Sequence, residues 1–295
     1  MTIPTRQKVI SGRHAFVDGI RYEMPIRTSD ASAIMAAFPC DFESARTLLP
    51  EGFIQPYRLW NRAILLVTVI DYRETSIGSY IEYSIAIACT YGLKPRMRLL
   101  PALFMKLFGT GQYVLDLPVS TEVSVKGGQG IWGMPKHQAN LDFIVGKKWI
   151  SSQYDLDGQM VGRLDIKRPT RYGLALNMAA TNYCAFRGMM MRSRIYFKSK
   201  VGVSLINPQA RFVLGSHPRT DALSSLNIAG QPLFVVHMPQ LTGVLDDYFD
   251  CWFVSSTRRP SEAEIPGLET TYSLGYSEDW LQPPKRDLHL DLDED

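Results

Sequence analysis

The hydrophobic and polar pattern along the chain favours strands over helices. Residues 63–72 are nearly all apolar and rich in β-branched side chains, which is typical of a strand buried on both faces. Residues 79–91 alternate in part, and the run 75–78 between the two segments has the composition of a turn. These features predict a β-hairpin.

A second hairpin is predicted for residues 149–156 and 159–166, because the dipeptide Asp157-Gly158 between them is a strong turn signal. The remaining predicted strands lie at residues 112–125, 139–145, 190–201, 210–215, 233–238 and 249–255.

Helices are predicted at few places. Residues 41–49 have helical spacing, with Asp41 as N-cap and Pro50 after the last turn. A helix is also predicted at residues 241–249. Residues 95–109 are apolar with three cations, and a short helix is expected after Pro101. That segment either packs on the core, caps an apolar pocket or touches a membrane surface.

The two ends differ from the middle of the chain. Residues 1–28 are polar and mixed, which indicates an arm or loop, and residues 277–295 form an acidic tail. Residues 1–276 are predicted to form a single domain. Many closely spaced strands and few helices indicate a β-rich α+β fold, with an antiparallel barrel or sheet and peripheral helices.

Composition excludes several classes of function. The 295 residues are 45% hydrophobic and carry a net charge of only +3, with no basic run, so nucleic acid is not expected as a partner. Neither a signal peptide nor a transmembrane segment is indicated. The four cysteines are far apart, as in reduced cytoplasmic proteins, and a cytoplasmic location is predicted.

Common catalytic motifs are missing from the sequence. It contains no Gly-x-Ser-x-Gly, no Walker A loop and no dinucleotide-binding Gly-x-Gly-x-x-Gly. The glycine-rich run at residues 127–130 leads into Ile-Trp-Gly-Met-Pro, so neither a helix nor a phosphate site is expected there. The five histidines are dispersed, and neither a metal nor a cofactor is predicted.

One lysine has an unusual setting. Lys136 follows Trp132, Met134 and Pro135, in a stretch where several glycines allow close packing. An ammonium group against apolar walls loses hydration, which is expected to lower its pKa below the ordinary value of about 10.4. The neutral amine that this favours is the form that attacks a ketone.

Three stretches together resemble the acetoacetate decarboxylase superfamily. Pro135-Lys136, eight residues after Gly128, resembles the reactive Pro-Lys of that family, and residues 75–82 resemble a Thr-Ser-Leu-Gly-x-Tyr-x-Glu stretch ending at Glu82. The helix of residues 41–50, ending in Leu-Pro, matches more weakly. The stretches keep the family's order, and with their flanks they cover residues 30–166.

The resemblance implies a cone-like β-barrel, a small-molecule keto substrate and assembly into homo-oligomers. It also implies that Lys136 forms a Schiff base with the substrate and that Glu82 faces it in the pocket. Acetoacetate decarboxylase is itself a standard example of an enzyme with an activated lysine, so this chemistry is a property of the family. Trp132, Met134 and Gln129 are predicted to contact the substrate, and His137 is a third catalytic candidate.

Four departures from the family's pattern alter this expectation. His137 stands where the family has a second lysine, and Gly128-Gln129-Gly130 replaces Gly-Arg-Glu. Ala31 lies near the position of an arginine that would meet a substrate carboxylate. Val67 or Thr68 replaces an acidic residue of the first long strand. Such a pocket suits a bulky, rather apolar keto compound better than a small charged keto acid, and the segment 96–117 is a candidate wall or lid.

Three functions stay open at this point. The first is a carbon–carbon lyase that uses a Lys136 Schiff base for decarboxylation, aldol chemistry or dehydration. The second is a hydratase, cyclase or hydrolase in which Lys136, His137 and Glu82 act as acid and base without an imine. The third is a non-catalytic protein that holds a hydrophobic ligand.

Overall fold

The computed structural model describes residues 12–50, 52, 54–92 and 99–253, with 246–249 described by backbone alone. All of these lie within one unit that spans Met1–Ser255. The predicted domain boundary at residue 276 and the acidic tail therefore lie outside the described residues.

Seventeen strands are described. In chain order they are β1 (Arg13–Val17), β2 (Ile20–Met24), β3 (Ile26–Asp41), β4 (Ile54–Pro56), β5 (Arg62–Thr75), β6 (Tyr80–Tyr91), β7 (Gly111–Val119), β8 (Lys136–Gln138), β9 (Asn140–Leu141), β10 (Ile144–Val145), β11 (Trp149–Leu156), β12 (Gln159–Lys167), β13 (Ala175–Phe186), β14 (Met189–Lys200), β15 (Gly202–Ser204), β16 (Ala210–Leu214) and β17 (Phe234–Phe253). The helices are α1 (Phe42–Thr47), α2 (Leu100–Leu103), α3 (Glu122–Trp132) and α4 (Asp221–Ser224), with a 3-10 turn at Pro218–Thr220.

Seven strands close into a barrel. Their hydrogen-bonded order is β6-β5-β3-β17-β14-β13-β7, and pairing of β7 with β6 completes the ring. Within the ring only β7 and β13 run parallel. β4, β8 and β15 extend it at β6, β7 and β17. The structure confirms the predicted β-rich, barrel-like fold with peripheral helices.

A smaller sheet packs against the outside of the barrel. It has the order β10-β11-β12-β16, with β9 paired to β11. Tyr83, Ile85 and Ile87 of β6 share the main hydrophobic cluster with Tyr154 and Leu164 of this sheet. Because successive residues of a strand point to opposite faces, the even-numbered residues of β6 face the barrel interior. Both faces of β6 are therefore buried.

Several local predictions are confirmed. α1 begins where expected, and the Asp41 carboxylate accepts a hydrogen bond of 2.8 Å from the backbone N–H of Ser44. The two predicted hairpins form as β5–β6 and β11–β12. Asp157 and Gly158 both have positive φ, 52° and 76°, as a tight hairpin turn requires.

The interpretation of residues 1–28 as an arm or loop is wrong for the described part. β1 and β2 form an antiparallel hairpin around Asp18-Gly19, which also have positive φ values of 48° and 78°. The hairpin is held by burial of Tyr22 and Met24 in a local cluster. Short strands with mixed composition carry a weak sequence signal, and tertiary contacts determine their conformation.

Other boundaries also differ from the prediction. The strand expected at residues 112–125 ends at Val119, and the helix expected at 241–249 is instead part of the 20-residue strand β17. β17 pairs with β14 on one side and β3 on the other, and these long-range hydrogen bonds override its local helical spacing. The strand predicted at 139–145 divides into β9 and β10, and β13 was not predicted.

Of the three placements expected for residues 95–109, packing on the core is not observed for most of the described part. α2 has four residues, and Leu103, Phe104 and Leu107 are 72%, 55% and 61% exposed. Phe108 is buried. Among the described residues, the helices are all too short or too polar to span a membrane.

Candidate active site

The candidate site is built around the turn that joins α3 to β8. α3 contains three glycines, each of which costs a helix about 1 kcal/mol relative to alanine. At Gly128 a Cβ atom would lie 2.3 Å from Cδ of Lys136, so the missing side chain lets the lysine pass along the helix. Gly133 ends the helix at φ 63°, a left-handed conformation that suits glycine.

Backbone contacts then fix the position of Lys136. β8 runs parallel to β7, with Lys136 opposite Leu117. The side-chain amide of Gln129 donates a hydrogen bond of 2.6 Å to the carbonyl oxygen of Lys136. The lysine is thus held between a helix and a barrel strand, and its side chain is 5% exposed.

The amine of Lys136 meets three side chains. Its Nζ atom lies 2.7 Å from Oε2 of Glu82 and 2.9 Å from Oγ of Ser124. The same atom lies 5.4 Å from the ring centre of Tyr80, within the range of a cation–π contact. A buried amine paired with a buried carboxylate can pass a proton over this short distance.

Glu82 and its neighbours share one face of the β5–β6 ladder. Tyr80 is opposite Tyr72, and their rings stack with centres 4.5 Å apart. Burial, and secondarily the charge of Glu82, raises the pKa of both phenols well above the usual range, so both stay protonated and able to donate.

The pair of Lys136 and Glu82 opens on a cavity of about 100 Å³ inside the barrel. All seven barrel strands contribute to its wall. The lining residues are Ile26, Thr28, Met35, Thr68, Ile70, Tyr72, Tyr80, Glu82, Ser84, Gln112, Val114, Leu117, Met134, Lys136, Ala180, Asn182, Ile195, Phe197, Met238, Leu241, Gly243, Val244 and Leu245. Among these described residues, Glu82 and Lys136 are the charged ones.

A wider groove adjoins the cavity at one end of the barrel. It has a volume of about 730 Å³ and carries charged side chains, among them Glu74 and Lys198. It shares Thr28, Phe197 and the segment Gly243–Val244 with the cavity wall. The groove is thus an open vestibule next to the buried cavity.

The residues predicted to contact a substrate are only partly brought together. Met134 lines the cavity with Lys136 and Glu82. Trp132 is instead buried in the cluster under the β1–β2 hairpin, and Gln129 holds the Lys136 backbone. Of the segment 96–117 that was predicted as a wall or lid, the strand β7 lines the cavity, whereas the described residues of α2 do not.

His137 faces away from the cavity, because it follows Lys136 directly on β8. Its Nε2 lies 2.8 Å from the hydroxyl of Tyr154, and its Nδ1 lies 3.4 Å from Asp116. Arg219 also contacts Asp116, at 3.2 Å. Burial lowers the pKa of His137, with Asp116 opposing, and burial raises the pKa of Asp116, with His137 opposing. This network joins β7 and β8 to the outer sheet.

The substituted family positions can also be located. Ala31 is fully buried in a cluster with Tyr72 and Leu241. Val67 belongs to the main hydrophobic cluster between the barrel and the smaller sheet, whereas Thr68 lines the cavity. Of the two candidates for the place of the family's acidic residue, Thr68 and not Val67 is therefore the one on the cavity wall.

Sequence reasoning missed Ser124 and Tyr80 as partners of the lysine. Tyr80 lies two residues before Glu82, so the period of a strand could have placed both on one face. No local signal marks Ser124, because its segment was interpreted as a strand. Among the described residues, no cluster of three or more His, Cys, Asp or Glu is placed to hold a metal ion.

The fold and the site together describe a closed β-barrel protein with a buried lysine–carboxylate pair at an internal cavity. The model of the family described as acetoacetate decarboxylase (ADC) matches residues 11–172, more than half of the chain. The chain therefore belongs to the acetoacetate decarboxylase family.

Solved structures show the same fold at low sequence identity. Acetoacetate decarboxylase from Legionella pneumophila has a TM-score of 0.56 at 13% identity, with 77% of this chain and 87% of that chain covered. A second acetoacetate decarboxylase has a TM-score of 0.56 at 14% identity, covering 79% and 91%. The enduracididine biosynthesis enzyme MppR, complexed with the condensation product of pyruvate and imidazole 4-carboxaldehyde, has a TM-score of 0.54 at 13% identity, covering 79% and 90%. A comparison with curated proteins gave no match.

Proposed function

We propose that the protein is a carbon–carbon lyase that forms a Schiff base between Lys136 and an uncharged keto compound. The observation that carries this proposal is the buried Lys136 amine, 2.7 Å from Glu82 at the wall of an apolar cavity. Membership of the acetoacetate decarboxylase family supports it.

The chemistry of the imine follows from the neighbouring groups. Lys136 first passes a proton to Glu82, and the neutral Nζ then attacks the carbonyl carbon and forms a C–N bond. Glu82 relays two protons from the nitrogen to the former carbonyl oxygen, one after the other, so that the C–O bond breaks, water leaves and the iminium remains. The iminium then accepts the electron pair of a bond to the adjacent carbon and becomes an enamine. If a C–H bond breaks, its proton passes to Glu82; if a C–C bond breaks, the other fragment leaves as an aldehyde, a ketone or carbon dioxide.

Charge favours aldol or dehydration chemistry over decarboxylation. In a β-keto acid the carboxylate lies two bonds from the carbonyl carbon and must enter the same cavity. Among the described lining residues the single cation is Lys136, and it is paired with Glu82. A second buried anion would have no counter-charge, and its desolvation would cost several kcal/mol.

Cavity size limits the part of the substrate that is buried. A volume of about 100 Å³ has room for roughly three or four water-sized groups. The keto end would occupy it, and the remainder of a bulky substrate would extend into the vestibule beside Phe197 and Lys198.

Trapping with borohydride tests this function. Purified protein is incubated with a panel of uncharged ketones and β-keto acids, reduced, digested and analysed by peptide mass spectrometry. We expect a reduced adduct on Lys136 with uncharged ketones and little with β-keto acids. Lys126→Ala, at a partly exposed lysine that pairs with Glu122 outside the cavity, is the control and should trap normally.

Removing Lys136 alone would leave Glu82 buried without its partner, which destabilises proteins by about 3–5 kcal/mol. The double variant Lys136→Met/Glu82→Gln avoids this and should fold without trapping ketones. Absence of any adduct on Lys136 in the wild type would reject the imine. Turnover without an adduct would then favour acid–base catalysis.

A further inference from the structure

We propose that Thr68 is a specificity-determining residue, which selects ketones with a second, uncharged oxygen close to the carbonyl. This inference rests on the proposed function and adds the class of substrate. The observation behind it is a buried hydroxyl group that has no partner.

Thr68 is 7% exposed, and its Oγ1 atom has no hydrogen-bond partner in the described structure. A buried hydroxyl without a partner costs roughly 1–3 kcal/mol. Two other polar pairs of the cavity wall bond to each other: Gln112 donates to Asn182 at 2.8 Å, and Lys136 pairs with Glu82. Thr68 lines the cavity, so its unpaired hydroxyl is the group for which a ligand there would supply a partner.

The ladder between β5 and β6 places this hydroxyl relative to the reacting nitrogen. Thr68 is opposite Ser84, and Ile70 is opposite Glu82, so Thr68 is a diagonal neighbour of the carboxylate that contacts Lys136. Diagonal neighbours on one sheet face are about 7–8 Å apart between Cα atoms. Nζ and Thr68 thus border the same part of the cavity, and we assign to Thr68 an oxygen two carbons from the carbonyl carbon of a ligand joined to Nζ.

The chemistry of threonine defines the oxygen that it accepts. A neutral hydroxyl can donate to, and accept from, an alcohol or carbonyl, but it supplies no charge to balance a carboxylate. The substrate class is therefore a β-hydroxyketone or a related 1,3-dioxygenated compound. Iminium formation at its carbonyl would activate it for retro-aldol cleavage or loss of water.

A matched pair of ketones tests this assignment. 2-Pentanone and 4-hydroxy-2-butanone have the same shape and differ by a methyl group in place of a hydroxyl. We expect the wild type to trap the hydroxyketone on Lys136 about 3- to 10-fold more efficiently, the range that one neutral hydrogen bond provides. All Lys136 adducts, dehydrated ones included, are counted by mass.

The variant Thr68→Val keeps the shape of the side chain and should abolish this preference, whereas Thr68→Ser should retain it. An unchanged preference in Thr68→Val would overturn the proposal. Equal trapping of both ketones by the wild type would also overturn it, because the Thr68 hydroxyl would then bind a water molecule or only pack in the wall, without contacting the ketone.

Binding without reduction separates this proposal from the imine. Affinities of the two ketones are measured by calorimetry for the wild type and Thr68→Val. If no Lys136 adduct forms but the wild type alone prefers the hydroxyketone, the imine fails and the role of Thr68 stands. If adducts form without a preference that depends on Thr68, the role of Thr68 fails and the imine stands.

Discussion

The central residue pair of this molecule is Lys136 with Glu82, whose opposite charges meet in a cavity wall that is otherwise uncharged. Ser124 and Tyr80 surround the same amine. Each of the four side chains comes from an element that also packs on its neighbours, so the geometry of the amine is set by the fold. Gly128 is the residue that allows this geometry, because the lysine stem passes directly over it.

At the residue scale, we predict that Gly128→Ala displaces Lys136. The new methyl group would lie 2.3 Å from Cδ of the lysine, and helix propensity gains only about 1 kcal/mol in return. The rate of imine trapping should fall at least about tenfold, which corresponds to a rise of about 1.4 kcal/mol in the activation free energy.

The matched control is Gly230→Ala, because a Cβ atom there meets nothing within 4 Å. It should trap ketones as the wild type does. If Gly128→Ala also traps at the wild-type rate, then the position of Lys136 does not depend on close passage over α3.

Among the elements, the short strand β8 lies between the barrel cavity on one face and the smaller outer sheet on the other. Lys136 faces the barrel interior, whereas His137, one residue later, joins Asp116 and Tyr154 on the outside. The family's second lysine is thus replaced by a histidine that fixes β8 to the outer sheet. We therefore infer that His137 positions β8 and does not react with the substrate.

We predict that His137→Asn still forms the Lys136 adduct, because its ring does not reach the cavity. The variant should lose about 1–3 kcal/mol of unfolding free energy, since Asp116 and Tyr154 lose a buried partner. Urea denaturation and borohydride trapping measure the two effects. Gln138→Asn, at the next and exposed position, is the control.

Lost trapping or turnover with unchanged stability would contradict this prediction. That result would favour the acid–base mechanism in which Lys136, His137 and Glu82 act together.

At the scale of the whole molecule, the barrel and its outer sheet bury several ionisable groups, and stability should therefore depend on pH. His237 of β17 is 1% exposed, and Tyr172 contacts its Nδ1 at 2.6 Å. Burial, with a smaller effect of Arg168, lowers the pKa of His237 to about 4. The unfolded chain therefore binds a proton at higher pH than the folded one.

The lowered pKa of His237 makes the free energy of unfolding decrease at acidic pH. The stability that His237 contributes is present above the unfolded pKa of about 6.5, and it is lost as pH falls towards the folded pKa. Between pH 7.5 and 5 the expected loss is about 2 kcal/mol. Urea unfolding at several pH values measures it.

In His237→Asn this part of the pH dependence should disappear, although the variant is less stable at neutral pH. His14→Asn, at an exposed histidine of β1, should leave the dependence unchanged. Equal slopes for wild type and His237→Asn would show that His237 does not carry it. Homo-oligomer formation stays a prediction at this scale, and sedimentation tests it.

Local signals and family resemblance were enough to predict several strands and the pairing of Lys136 with Glu82. β5, β6 and the β11–β12 hairpin were predictable because their apolar runs and turns fix them locally. Lys136 and Glu82 were predictable through a resemblance that covers about half of the chain. The replacement of charged family positions was likewise visible in the sequence.

The remaining features depend on contacts between residues that are far apart in the sequence. Residues 122–132 are a helix in spite of their glycines, because those glycines allow Tyr22 and Lys136 to pack against it. β17 is a strand because two neighbouring strands supply its hydrogen bonds. The choice between Val67 and Thr68, and the outward direction of His137, depend on which face of each strand meets the cavity. Local sequence does not specify that face, because both faces of these strands are buried.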